Sequence, residues 1–341
     1  MIAYRRLVLA CACLTFLVVV VGAYVRLSDA GLGCPDWPGC YGMLTPANAH
    51  EHIRQAVQEQ GGTHGPVSLP KAWKEMGHRY LAGVLGMLIL AVAVFAWVRR
   101  KALRQSPWLA TVVVLVVIVQ ATLGKWTVTL LLKPAIVTGH LAGGMSTLAL
   151  LVWLALWQWR FDRSAILPGA RQARVLAIAG LVVLCIQILL GGWVSTNYAA
   201  LACPDLPLCR GELVPPMDFA NAFHMVRELG MTPGGGLLSG EALTAIHWVH
   251  RMFALVTVAT LGSLAYQLIR NTGMRILGGL LAAALTTQFL LGVANVALGL
   301  PLALAAAHNA GAAVLLVTMV VINYVSFHGL ALQRVAQLRS L

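Results

Sequence analysis

Residues 34–40 read Cys34-Pro35-Asp36-Trp37-Pro38-Gly39-Cys40, and residues 203–209 read Cys203-Pro204-Asp205-Leu206-Pro207-Leu208-Cys209. The two stretches stand 169 residues apart in a chain of 341. Other pairs keep step with them. His78-Arg79 returns as His250-Arg251, and Gln120, twenty residues before His140, returns as Gln288, twenty before His308. A half-length unit has been duplicated, and each copy carries two cysteines and two histidines in the same order. Around these landmarks the chain is 59% hydrophobic and 10% charged, with mean hydropathy +0.81. A water-soluble core of this length needs far less apolar side chain, so the composition is that of a polytopic membrane protein.

Eight apolar runs are long enough to cross a bilayer as helices, near 7–25, 76–98, 107–126, 134–157, 175–194, 243–268, 275–296 and 301–325. The fold expected is therefore all-α, with four spans in each copy. An even number of spans gives both copies the same direction through the membrane, a parallel repeat about an axis along the membrane normal. The halves are read as 1–158 and 175–341, joined by a cytoplasmic linker 159–174 containing Pro168-Gly169. Val21-Gly22-Ala23 resembles a signal-cleavage site. Cleavage there would remove a span whose repeat partner is kept, so the first run is read as a retained helix.

The net charge of +13 raises nucleic acid as a partner, and its distribution argues against one. Basic residues gather at alternate span ends: Arg5, Arg6; Arg99, Arg100, Lys101, Arg104; Arg160, Arg163, Arg171, Arg174; Arg270, Arg275; Arg334, Arg339. Asp162 is the one acid among them, while acids and bases balance on the other side. The positive-inside rule then places both termini in the cytoplasm and the two long loops, about 26–75 and 195–242, outside.

Both long loops carry the cysteine motif. Five intervening residues do not match the Cys-x2-Cys spacing of zinc fingers, and thiols pair on an oxidising face. Two prolines bend each loop back on itself. Cys34 with Cys40 and Cys203 with Cys209 are read as disulfides, each restraining the unfolded chain by about 2.4 kcal/mol, in preference to free thiols or a metal pair. Cys11, Cys13 and Cys185 fall in spans and read as small buried apolar residues. Behind the second motif, Phe219, Phe223, Val226 and Leu229 form an apolar stripe of a short amphipathic helix, a packing lid or a partner surface. His50, His52, His64 and His224 read as solvated loop residues.

An ionisable residue inside a span is functional by default. His140 and His308 each have glycine three positions on, Gly143 and Gly311, and His78 and His250 have Ala82 and Ala254 four positions on. Residues so spaced share a helix face, and small neighbours let a flat macrocycle approach the helix. Pairing His78 with His140 and His250 with His308 gives two bis-histidine sites, suited to haem iron. The alternative is that each imidazole bonds a neighbouring helix; four matched positions favour haem. Arg79 and Arg251 have two readings, pairing with haem propionates or snorkelling to the interface. One place breaks the symmetry. Glu75 stands three residues before His78, and its equivalent before His250 is His247. The carboxylate reads either as a proton-moving group at the first site or as a helix-start acid facing the dipole.

Taken together, Gly22-Ala23-Tyr24-Val25-Arg26-Leu27-Ser28, Gly31-Leu32-Gly33-Cys34-Pro35-Asp36-Trp37-Pro38, Glu75-x-x-His78-Arg79, Gly139-His140, His247-x-x-His250-Arg251 and His308 resemble the haem A synthase family over about 7–325. The resemblance implies two pseudo-symmetric four-helix bundles in a bacterial inner membrane, with haem sites toward the outer face. It implies oxidation of the C8 methyl of haem O to a formyl group, giving haem A for terminal cytochrome oxidase. By the same resemblance Glu75 is catalytic, His78 and His140 bracket the haem O substrate, and His250 and His308 ligate a haem b cofactor. The repeat alignment favours His250 over His247 as ligand. Haem O synthase is the implied partner, and the motifs do not specify the electron acceptor. The competing readings are a bis-histidine cytochrome b that carries electrons and a haem-transfer protein.

Overall fold

The computed structural model describes residues 2–62, 64–103, 105–158, 170–270 and 273–328. Among them the helices run in order α1 (Ile2–Leu27), α2 (His50–Glu59), α3 (Leu69–Val98), α4 (Arg100–Leu103), α5 (Trp108–Thr129), α6 (Pro134–Trp157), α7 (Ala170–Thr196), α8 (Phe219–Ala222), α9 (Gly240–Arg270), α10 (Arg275–Ala297) and α11 (Leu302–His328). No strand occurs among the described residues beyond isolated bridges such as Cys40 with Met43 and Cys209 with Glu212. Eight of the helices, α1, α3, α5, α6, α7, α9, α10 and α11, are long and apolar enough to cross a bilayer. Every expected span is present, because in hydrocarbon a helix alone satisfies its own peptide groups.

Several helices extend past their apolar runs. α3 starts at Leu69, where the Ser68 side chain accepts from the Lys71 N–H at 3.4 Å and Pro70 sits in the first turn, which leaves no N–H bond to lose. α7 begins at Ala170, so residues 170–174 of the expected linker are helix. The rest of that linker, with Arg160, Asp162, Arg163 and Pro168-Gly169, lies outside the described residues, as do Arg104, Arg334 and Arg339.

In the first copy α1 packs on α3 and α6, and α5 packs on α3 and α6; in the second, α7 packs on α9 and α11, and α10 packs on α9 and α11. Each set of four thus closes into a ring. Between the sets α1 meets α11, α6 meets α7, and α6 meets α11. One core, including Tyr4, Val8, Cys11, Leu85, Ile89 and Leu151, lies within the first ring. Another, with Leu184, Leu261, Leu281 and Met319, takes in Met145 and Leu148 of α6 and so bridges the rings. α1 buries Tyr4, Val8, Cys11, Ala12 and Thr15 at helical spacing. Cys13 is off that face and exposed, and Cys185 is exposed too, so of the three span cysteines only Cys11 is buried.

The connections also repeat. α1 ends with Asp29 at φ +50° and the Ala30 N–H bonded to the Val25 carbonyl at 3.0 Å; α7 ends with Tyr198 at φ +55° and the Ala199 N–H bonded to the Val194 carbonyl at 3.0 Å. These are six-to-one C-terminal caps built on non-glycine residues. The expected amphipathic helix in the second long loop is a single turn, α8; its counterpart in the first loop, α2, is the ten-residue helix. The second segment is drawn out of helix by Arg227, 6% exposed, which bonds the Asn197 side chain and lies 5.7 Å from the Trp193 ring.

Candidate functional site

His78, His140, His250 and His308 lie nine, six, ten and six residues past the first residue of their helices, about 9–15 Å along the axis at 1.5 Å per residue. All four helices start at the end of the molecule where the cysteine loops lie. His78 and His140 stand on α3 and α6 of the first ring, and His250 and His308 on α9 and α11 of the second. Each pair read from the sequence therefore lies within one ring of four helices. Among the described residues no three His, Cys, Asp or Glu side chains converge; the histidines come in twos.

Each imidazole packs against a glycine of the span that precedes its own. A Cβ at Gly22 on α1 would stand 2.8 Å from His78 Cε1, and one at Gly124 on α5 would stand 3.0 Å from His140 Cε1. At Gly191 on α7 and Gly292 on α10 the same atom would stand 3.1 Å from His250 Cε1 and His308 Cε1. Any side chain there displaces a ring. Sequence reasoning missed these four glycines, although they recur at the repeat offset, Gly22 with Gly191 and Gly124 with Gly292. Gly22 also belongs to the stretch that looked like a cleavage site.

Gly143 and Gly311 have another use than the one expected. They admit the amides of Gln120 and Gln288, whose Oε1 atoms occupy the space of a Cβ, because this face of α6 and α11 turns toward α5 and α10. Gln120 Nε2 donates to the His140 carbonyl at 2.6 Å, and Gln288 Nε2 is 3.4 Å from His308 Nε2. Gln187 Nε2 lies 3.1 Å from His250 Nδ1 and 3.2 Å from the His250 carbonyl. The buried Nδ1 atoms of His78, His140 and His308 have no hydrogen-bond partner, nor do the buried Oε1 atoms of Gln120, Gln187 and Gln288.

A disulfide loop roofs each pair. Cys34 and Cys40 are bonded with Cα atoms 4.8 Å apart, and Cys203 and Cys209 with Cα atoms 4.6 Å apart. The aspartate of the motif ties the loop's end: Asp36 accepts from the N–H groups of Tyr41 and Gly42 at 2.6 and 2.7 Å, and Asp205 from those of Arg210 and Gly211 at 2.6 and 2.8 Å. These bonds, Gly211's first, hold the Asp205 carboxyl below the usual aspartate range. The arginine after each histidine grips the same loop. Arg79 donates to the carbonyls of Asp36 at 2.8 Å, Gly39 at 2.6 Å and Cys34 at 3.2 Å. Arg251 donates to Asp205 at 2.6 Å and Leu208 at 3.1 Å, the equivalent carbonyls. Neither sequence reading of these arginines, propionate contact or snorkelling, included this clamp.

Glu75 is 7% exposed and accepts from Arg79 Nε at 3.0 Å. α3 begins at Leu69, so Glu75 lies beyond the first turn, and its partner is a guanidinium rather than the helix end. His247, 4% exposed, accepts from the Cys203 N–H through Nδ1 at 3.2 Å. It holds the roof, while His250 packs on Gly191 of α7 and lies against Gln187. His50, His52, His64 and His224 are exposed.

Comparison with known proteins gives the family. A family model described as cytochrome oxidase assembly protein matches residues 5–320. A haem A synthase of Shewanella oneidensis is 41% identical over 321 residues, 92% of this chain and 94% of that one. A haem A synthase of Caulobacter sp. strain K31 is 27% identical over 90% of this chain and 91% of its own length, and one of Halalkalibacterium halodurans is 28% identical over 70% and 73%. With eight bilayer-length helices, two roofed histidine pairs and this likeness along nearly its whole length, the chain belongs to the cytochrome oxidase assembly protein family, among relatives that are haem A synthases.

Proposed function

We propose that the chain is a haem A synthase that oxidises the C8 methyl group of haem O to a formyl group. The observation that carries this reading is the pairing of one frame with unequal contents: two histidine pairs on matched glycines, with a buried carboxylate beside the first pair only. The donor set fits haem. Two imidazoles suit the axial positions of an iron whose other four donors belong to a macrocycle, and the buried Nδ1 atoms of His78, His140 and His308 lack any other partner. The first four-helix unit is the substrate half, with haem O between His78 and His140; the second is the cofactor half, with haem b on His250 and His308. When bound there, haem b supplies one-electron transfer.

If water supplies the oxygen, converting a methyl to a formyl group gives up four electrons to an external electron acceptor and releases four protons, so the substrate pocket needs a proton acceptor. Glu75 supplies one, and Arg79 keeps its side chain placed while anchoring the roof. His247, in the equivalent place, accepts the Cys203 N–H through Nδ1, so the second pocket has no carboxylate there. The two units form a parallel tandem repeat. The protein sits in a bacterial inner membrane with both termini cytoplasmic and the haem sites outward, receiving its substrate from haem O synthase. Co-expression with a haem O source, then haem extraction and chromatography, tests the reading. Haem A is expected; haem b alone would support an electron carrier instead.

A further inference from the structure

The copies differ beside the imidazoles at one more place. Gln187 on α7 stands one turn before Gly191, the glycine under the His250 ring; the equivalent residue before Gly22 on α1 is Val18. Gln187 reaches His250 at both Nδ1 and the main-chain carbonyl, and its Oε1 is buried with no partner. Val18 has no polar atom to offer, and His78 Nδ1 is buried with no partner. Gln120 and Gln288 occur in both copies, so they do not distinguish the sites.

An imidazole that binds a metal through Nε2 carries its proton on Nδ1, and that N–H is held by an acceptor. Turning the Gln187 amide places Oε1 where Nε2 stands and gives the Nδ1–H an acceptor, while Nε2 moves to the place Oε1 now holds. The His250 carbonyl, inside α9, keeps its helical N–H. The bond fixes the ring and strengthens it as a donor. His78 has no such support from α1. Building on the two-haem reading above, we propose that Gln187 is a positioning residue that makes the second site a permanent haem site, whereas Val18 leaves the first site exchangeable. One pocket then keeps its haem while the other passes substrate in and product out.

The test uses the purified full-length protein. Gln187→Leu removes the acceptor at similar size, and Gln187→Glu keeps one. The readouts are the rate of haem b transfer to excess apomyoglobin and the midpoint potential of the haem. Gln187→Leu should release haem about 10- to 100-fold faster, with the potential shifted upward because a weaker donor stabilises ferric iron less. Gln187→Glu should release it at close to the wild-type rate, with the potential shifted downward. Val18→Gln should make haem A co-purify with the protein after co-expression with a haem O source. An unchanged release rate and potential in Gln187→Leu overturn the proposal. If that variant is not monodisperse, the absence of a downward shift in Gln187→Glu overturns it. No gain in retained haem A in Val18→Gln overturns the account of the first site. His250→Ala separates the two levels: if it keeps its haem, the bis-histidine reading itself has failed.

Discussion

Glu75 and His247 occupy equivalent positions, each three residues before a pocket histidine, and their partners differ. Glu75→Gln keeps the size of the side chain and can still bond Arg79, but it cannot take a proton. Haem binding should persist while haem A falls by at least about 100-fold, the scale of a lost general base, as read by chromatography of extracted haem. His250→Ala or His308→Ala should remove haem b from the purified protein, seen as loss of the low-spin spectrum. His247→Ala should leave that spectrum in place. It strands the buried Cys203 N–H, a loss of about 1–3 kcal/mol, and lowers the unfolding temperature. The glycines make a sharper test of geometry. Gly191→Ala brings a methyl to about 3.1 Å from His250 Cε1, and haem content should drop although no ligand has changed. Intact haem in that variant would mean that the ring does not need the close approach.

The spans were legible in the sequence because hydropathy alone decides which segments enter a bilayer. Their starts were less so, since α3 and α9 continue through polar turns that only capping and the roof stabilise. The histidine pairs could be read from the repeat. The glycines beneath them could not be read from any one helix, because a close approach is a property of two. The amphipathic stripe after Asp218 had the right spacing for a helix, yet the buried anchor of Arg227 prevails over it. The roofs were legible as disulfides but not as clamped elements. Arg251→Lys should keep the charge and lose the two-carbonyl grip, so the Cys203–Cys209 loop becomes more open to mild reductant, measured by alkylation of released thiols. Asp205 adds a pH dependence. Its folded value is depressed, so its contribution is present above the ordinary aspartate range near ~3.9 and disappears as the pH falls through the lower folded value. The loop should therefore stay closed through the neutral range and loosen only in strong acid. Removing Cys34 should reduce activity more than it reduces haem in the second half, since its loop leads into Glu75 and His78.

Across the whole molecule the halves meet through α1, α6, α7 and α11, and polar contacts reinforce that seam at the roofed end. Thr138 and Thr196 hydroxyls are 3.2 Å apart in a buried setting. Arg26 donates to the Ser195 carbonyl at 2.9 Å and lies 4.1 Å from the Tyr198 ring, and the Tyr198 hydroxyl donates to Asp29 at 2.9 Å. Arg26→Leu should lower the unfolding temperature in detergent while each histidine pair keeps its ligands, so haem content per folded molecule should stay constant. Arg26 with Ser195 and Asp29 with Tyr198 are each 169 residues apart, the spacing of the repeat, so each residue touches its own duplicate. In a homodimer of identical half-molecules those positions would set arginine against arginine and aspartate against aspartate, and like charges would push the protomers apart. Covalent fusion of the two halves lifts that restriction. Once the copies share a chain, each side of the seam can change independently, and a donor can come to face an acceptor where self-recognition would have forced a match of like with like.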